Sequence, residues 1–141
     1  MAASLILPAP LRAQIEEEGR AAFPRECCGL IEGRRDGNAI HAVALHPARN
    51  LASDTDRFEI DPADHFKALR AARANGTEIA GCYHSHPNGS HQLSARDREG
   101  AVEDGFVWLI CALNPSDVRI AAFIRENSRF GALDLREIPA A

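Results

Sequence analysis

The sequence predicts an α/β domain built on one mixed β-sheet with helices packed against it. Three observations carry that reading. Helical and strand patterns interleave through the first part of the chain, the last part reads as strands joined by short turns, and residues 106–113 (FVWLICAL) are apolar on both faces, as a strand in the middle of a sheet is. Residues 1–141 read as a single domain, 45% hydrophobic and 26% charged, with no low-complexity tract.

Ser4-Leu5-Ile6-Leu7 has no basic residue before it and runs into Pro8 and Pro10, which makes it a poor secretion signal. Residues 8–22 predict a helix with Pro10 in its first turn, Leu11, Ile15 and Ala22 on one stripe and Glu16, Glu17 and Glu18 on the solvated side. Gly19 weakens that helix slightly, and Pro24 stops it. Residues 26–33 are a short apolar strand, 34–37 a turn, and 38–46 a second strand paired with the first as a hairpin. A polar loop, 47–56, leads to a brief strand, 57–60. Asp61-Pro62 is an N-cap followed by proline, starting a helix that runs to about Ala74, buries Phe66, Leu69 and Ala72, and ends at Asn75-Gly76. Residues 78–86 are a strand ended by the turn Pro87-Asn88-Gly89, and 94–104 a short helix closed by Gly105. After the buried strand, 114–117 turns into a strand at 118–125, and Asn127-Ser128 turns into the last, 129–138.

The charge balance excludes some functions. A net charge of −4 and a single lysine, Lys67, leave no basic stripe for nucleic acid. The apolar runs are too short to span a membrane. Four cysteines, with Cys27 and Cys28 adjacent, do not make a disulfide framework, so a reducing, cytoplasmic setting is expected.

The chemistry concentrates in Gly81-Cys82-Tyr83-His84-Ser85-His86-Pro87 and in the stretch from Asn88 to Asp97. Side chains two apart on a strand share a face, so His84 and His86 project together at the rim where the strand ends. Ser94 and Asp97 share the first turn of the short helix. Two imidazoles and one carboxylate, leaving a fourth position for water, are the ligand count of a catalytic zinc, which predicts one Zn²⁺ per chain on His84, His86 and Asp97. Each piece also has a plainer reading. Ser94-x-x-Asp97 is equally a helix capping box, compatible with ligation because the cap fixes the helix that presents Asp97. His-x-His standing alone is more often a polar strand edge than a metal site. Glu26 is either an exposed acid at a helix–strand junction or the general base that takes a proton from metal-bound water and passes it to the leaving amine. Ser94 would donate its hydroxyl to the oxyanion of a tetrahedral intermediate. His91 is read as lining the loop between His86 and Ser94, and Cys82 and Trp108 as core packing.

Glu26, His84-Ser85-His86-Pro87, the seven residues to Ser94 and the two more before Asp97 resemble the signature of the JAMM metalloproteases, the catalytic branch of the MPN domain. Pro24-x-Glu26-Cys27-Cys28-Gly29-Leu30 and Phe58-x-Ile60-Asp61-Pro62 are similar to the compact bacterial members, so the resemblance covers nearly the whole chain. It implies an MPN domain with cytidine-deaminase-like layering, zinc on His84, His86 and Asp97, Ser94 at the oxyanion and Glu26 as general acid/base. It further implies hydrolysis of a peptide or isopeptide bond after the C-terminal tail of a small ubiquitin-like sulfur-carrier protein. Such a tail would add as a strand to a sheet edge, with 50–60 the expected place.

Two other functions stay open at this level. A thiol hydrolase would use Cys27 or Cys28 with a histidine, although an apolar strand around Cys28 suits a buried thiol better. A non-catalytic MPN-type scaffold would bind protein through the same surface without turnover. A zinc nucleobase deaminase is excluded, since its His-x-Glu and Pro-Cys-x-x-Cys elements are absent.

Overall fold

Every residue from 107 to 113 is buried, and the chain closes around that strand. The structure is a computed structural model and describes residues 2–101 and 103–140. In chain order the elements are β1 (Ser4–Pro8), α1 (Ala9–Ala22), β2 (Cys28–Asp36), β3 (Ala39–Ala48), α2 (Pro62–Ala74), β4 (Glu78–His86), α3 (Ala95–Gly100), β5 (Val107–Leu113), β6 (Val118–Glu126) and β7 (Arg129–Ile138). The sheet runs β1-β3-β2-β4-β5-β6-β7 and closes on itself. As expected it is a single mixed sheet with flanking helices, parallel at β4–β5 and at both borders of β1 and antiparallel elsewhere.

The closure is a correction to the sequence reading. Residues 4–7 predict no element, yet β1 pairs with β3 on one side and β7 on the other and joins the two ends of the sheet. Leu5 and Leu7 are completely buried there. A run of this length carries too little periodicity to declare a strand. Among the described residues closure also leaves none of the seven strands with a free edge, so the sheet-edge docking expected at 50–60 has no sheet to extend: that segment makes one isolated bridge, Asn50 to Ile60.

Alternation along β5 divides the core. Val107, Leu109, Cys111 and Leu113 join a cluster with Ile15, Ile31 and Tyr83, whereas Trp108 and Ile110 join Leu30, Ala68, Cys82 and Leu93 on the other face. Trp108 and Cys82 thus pack as expected. Helix α2 begins and ends where its caps place it, with the Asp61 carboxylate accepting from the Ala63 amide at 2.9 Å. Its buried face differs from the expected one: Ala68 and Ala72 are covered, while Phe66 and Leu69 are exposed and Phe66 lies under the Arg70 guanidinium. The alanine stripe lets the helix lie close to the sheet, and the larger side chains turn outward. Helix α3 ends at Gly100 rather than 104, and the β2–β3 hairpin turns later than expected, at residues 37–38, where Gly37 takes a φ of +60°.

One buried polar knot ties these elements together. Glu32, 2% exposed, meets His46 Nε2 at 2.8 Å and accepts from Thr77 Oγ1 at 2.7 Å and Asn75 Nδ2 at 3.1 Å, linking β2 to β3 and to the end of α2. Burial alone would raise its carboxyl, but the hydrogen bonds from His46, Thr77 and Asn75 outweigh it and hold the group below the ordinary value of 4.5. A carboxyl lowered in the folded state contributes stability above its unfolded value and loses it as pH falls through the folded one. Glu32→Gln should therefore cost about 1.5–3 kcal/mol at pH 7 by urea unfolding, and the gap to the parent chain should close as the pH is lowered below 4.5. A gap that stays constant with pH would show that the charge plays no part.

Candidate metal centre and cleft

Strand β4 turns its side chains alternately to the two faces, which sends Tyr83 and Ser85 toward α1 and His84 and His86 toward α3. His84 is 0% and His86 4% exposed. Their Nε2 atoms lie 3.0 Å apart, and each lies 3.1 Å from Asp97 Oδ2. The structure thus brings together the three residues that the sequence selected as ligands. Tetrahedral zinc with bonds of about 2.0–2.1 Å separates its donor atoms by about 3.3 Å, so this triangle fits a small divalent ion with little adjustment.

Each donor is oriented by a second contact. His86 Nδ1 faces the Ser90 carbonyl at 2.8 Å, and donating there would leave the Nε2 lone pair for an ion once one is bound. Phe58 stacks on the His84 ring at a centroid distance of 4.5 Å, and Trp108 meets it edge-on at 6.0 Å. Asp97 is held by a capping box: its Oδ2 accepts from the Ser94 amide at 2.9 Å while Ser94 Oγ accepts from the Asp97 amide at 3.0 Å. Both readings of Ser94-x-x-Asp97 therefore coexist. The Ser94 hydroxyl proton is not consumed by the cap, and Ser94 lines the adjacent cleft.

Glu26 is 4% exposed, and one carboxylate oxygen lies within 4.8 Å of imidazole nitrogens of both His84 and His86. Its Oε1 is buried without a hydrogen-bond partner, and so is His84 Nδ1. An unpartnered carboxylate oxygen beside two imidazoles suits a proton or a metal-held water. Glu26 is an outer neighbour of the tighter triangle rather than one of its corners. Burial pushes its carboxyl up to about 7, opposed by His86 and reinforced by Asp97 and Asp56. Asp97 goes the other way: burial would raise it, but hydrogen bonds from His84, His86 and the Ser94 amide hold it well below the usual carboxylate range. Burial lowers His84, whereas Asp97 and the Ser90 carbonyl outweigh burial and raise His86.

Two positioning residues escape a reading of motifs. Ser85, between the histidines but on the opposite face, accepts from the Cys27 amide at 2.8 Å, and its own amide donates to the Cys27 carbonyl at 3.1 Å. This pair ties the β2 entry to β4 and sets Glu26 beside the imidazoles. Asn50 Nδ2 donates to the Glu26 carbonyl at 3.0 Å and the Arg57 carbonyl at 3.3 Å, while its Oδ1 accepts from the amides of Ala52 and Glu59. One side chain thus fixes Glu26 and the loop that carries Phe58. The only sequence signal was an asparagine opening a polar loop. Gly29 supplies a third support, since a Cβ there would lie 2.3 Å from Tyr83 Oη, which crosses at that point to donate to Glu18 on α1.

The other expected participants stand apart. Burial pushes the Cys27 thiol up to about 11 and Cys28 to about 12, the reverse of an activated nucleophile. His91 is partly buried in the loop and is not among the residues lining the cleft. That cleft, of about 680 Å³, opens over His86, Glu26 and Ser94 and is walled by Phe23, Asp56 and Arg96. Its donor triangle, adjacent unpaired carboxylate and hydroxyl are the parts of a metal-assisted hydrolytic site.

Comparison with known proteins agrees in fold. The profile described as prokaryotic homologs of the JAB domain matches residues 8–124. A desampylase of Haloferax volcanii is 38% identical over 97 residues, 67% of this chain and 68% of that protein. A probable TtuB-protein conjugate cleaving protease of Thermus thermophilus is 35% identical over 86 residues, 57% of this chain and 55% of that protein. The solution structure of a Desulfitobacterium hafniense protein superposes with a TM-score of 0.88 at 27% identity, covering 96% of this chain and 94% of that one. With that profile covering most of its length, and with relatives named as a desampylase and a probable TtuB-protein conjugate cleaving protease, the chain belongs to the prokaryotic JAB-domain family of the JAMM/MPN group.

Proposed function

We propose that the protein is a zinc-dependent metallopeptidase that hydrolyses the bond after the C-terminal tail of a small ubiquitin-like sulfur-carrier protein. The observation that carries this reading is the convergence of His84, His86 and Asp97 at 3.0–3.1 Å with the Glu26 carboxylate within 4.8 Å of both imidazoles. The names of the Haloferax and Thermus relatives support a conjugate of that kind as substrate.

His84, His86 and Asp97 would hold one ion. When bound, zinc supplies Lewis acidity toward a water and toward the scissile carbonyl. Glu26, lifted toward neutrality by its burial, accepts the proton of the attacking water. The water oxygen bonds to the carbonyl carbon, and Ser94 donates its hydroxyl to the oxyanion that develops. Glu26 then returns the proton to the leaving nitrogen as the C–N bond breaks, yielding a carboxylate on the tail and a free amine. The division of labour comes from environment: Asp97, fully hydrogen-bonded, stays charged and ligates, while the desolvated Glu26 trades a proton.

Carrier proteins bearing C-terminal extensions, incubated with the enzyme and weighed by mass spectrometry, should lose the extension, stop doing so with chelator and resume with Zn²⁺. Unchanged masses across a panel of carriers would overturn the reading. His84→Ala or Asp97→Ala should abolish stoichiometric zinc by elemental analysis. Glu26→Gln should keep the zinc and lower kcat by at least about 10²-fold. Ser94→Ala should keep the zinc and lower kcat by roughly 10²–10³-fold, with about 1 kcal/mol of stability lost with the cap. A Glu26→Gln enzyme with unchanged kcat would place the base elsewhere.

A further inference from the structure

A second depression, of about 320 Å³, lies beside the cleft and shares Phe23 and Pro87 with it. It sits between the C-terminal end of α1, which brings Arg20 and Phe23, and the ends of the parallel strands β4 and β5, which bring Pro87, Leu113, Asn114 and Pro115. Folding leaves two of these residues unused. Phe23 is 59% exposed although it borders two cavities, and Arg20 has no hydrogen-bond or ion-pair partner among the described residues.

The direction of the reaction decides what reaches this place. Glu26 returns the proton to the leaving amine, and it stands on the same α1–β2 connection as Phe23 and Pro24. Ser94, which faces the carbonyl oxygen, is carried instead by the N-cap of α3. The amine side of the scissile bond therefore departs past Glu26 toward Phe23. A depression at the small end of the range for ligand pockets, about 300 Å³, is sized for one bulky side chain.

Resting on the hydrolase reading, we infer that this depression is the specificity subsite for the residue immediately after the scissile bond, taking a bulky apolar side chain against Phe23, Pro87 and Leu113 with a neighbouring carboxylate on Arg20. The carboxylate comes either from that residue's own terminus, in a one-residue extension, or from an acidic side chain after it.

The test uses the zinc-loaded protein and a ubiquitin-fold carrier ending in Gly-Gly, extended by Ala, by Phe, by Phe amide or by Phe-Glu amide. Expected is a kcat/KM for Phe about tenfold above Ala, falling toward parity in Phe23→Ala. The Phe acid should exceed the Phe amide, a difference that Arg20→Ala removes. Recovery with Phe-Glu amide identifies an acidic side chain as a sufficient source, and no recovery assigns the carboxylate to the terminus. Equal rates for Ala and Phe, with both cleaved, overturn the subsite and leave the hydrolase standing. If no extension is cut, the hydrolase reading falls and takes the subsite's place in a reaction with it, and what remains, the depression's preference for a bulky apolar side chain, is decided by NMR titration with L-phenylalanine and L-alanine. Shifts at Leu113 and Asn114 with the first alone support it, and their absence overturns it.

Discussion

The reciprocal hydrogen bonds between Ser85 and Cys27 are what the site depends on. They form on the face of β4 that looks away from the cleft, where Ser85 is completely buried, and they fix how the end of β2 meets the end of β4. Glu26 precedes Cys27, and His84 and His86 flank Ser85, so one backbone-to-side-chain and one backbone-to-backbone hydrogen bond set the carboxylate opposite the imidazoles. Serine is small enough for this: the Cβ that Gly19 lacks would come within 3.3 Å of the Ser85 Cβ, so α1 presses directly on the strand. A bulkier residue at 85 would push α1 and β2 away together, and the arrangement of Glu26 against His84 and His86 would be lost without any of the three having been touched.

A carboxylate buried with hydrogen bonds and a carboxylate buried without them behave as different reagents. Asp97 accepts from the Ser94 amide and faces both imidazoles, which keeps it charged; Glu26 is buried with one oxygen unpartnered, and that burial brings its carboxyl to about 7. The two are within reach of each other's field, since Asp97 itself contributes to raising Glu26. On the proposed reading, burial with and without hydrogen-bond supply is what would separate a ligand from a base.

Much of this was legible in the sequence where local chemistry is decisive. β4 and β7 have the boundaries that their flanking turns imply, and α2 begins and ends at its caps. The convergence of His84, His86 and Asp97 could be anticipated because a strand repeat of two and one helical turn are both short-range rules. What failed was long-range. Residues 4–7 become a strand only because β3 and β7 offer edges on both sides, and Phe66 and Leu69 turn outward because the sheet accepts the alanine face of α2. Asn50 and Ser85 carry no catalytic chemistry, so nothing in their identity marked them as the residues that hold Glu26.

Ring closure by β1 bears on how the chain reaches its native state. Ser4 pairs with Ala39 but also with Asp134, so one border of the first strand has its partner almost at once and the other only when the final hairpin has been synthesised. Contacts of such sequence separation are slow to form because the loop entropy is lost before they can compensate it. A ribosome-bound chain therefore carries an incomplete sheet with one unpaired border until β7 has emerged, and for that interval protection of the nascent polypeptide falls to chaperones rather than to its own architecture.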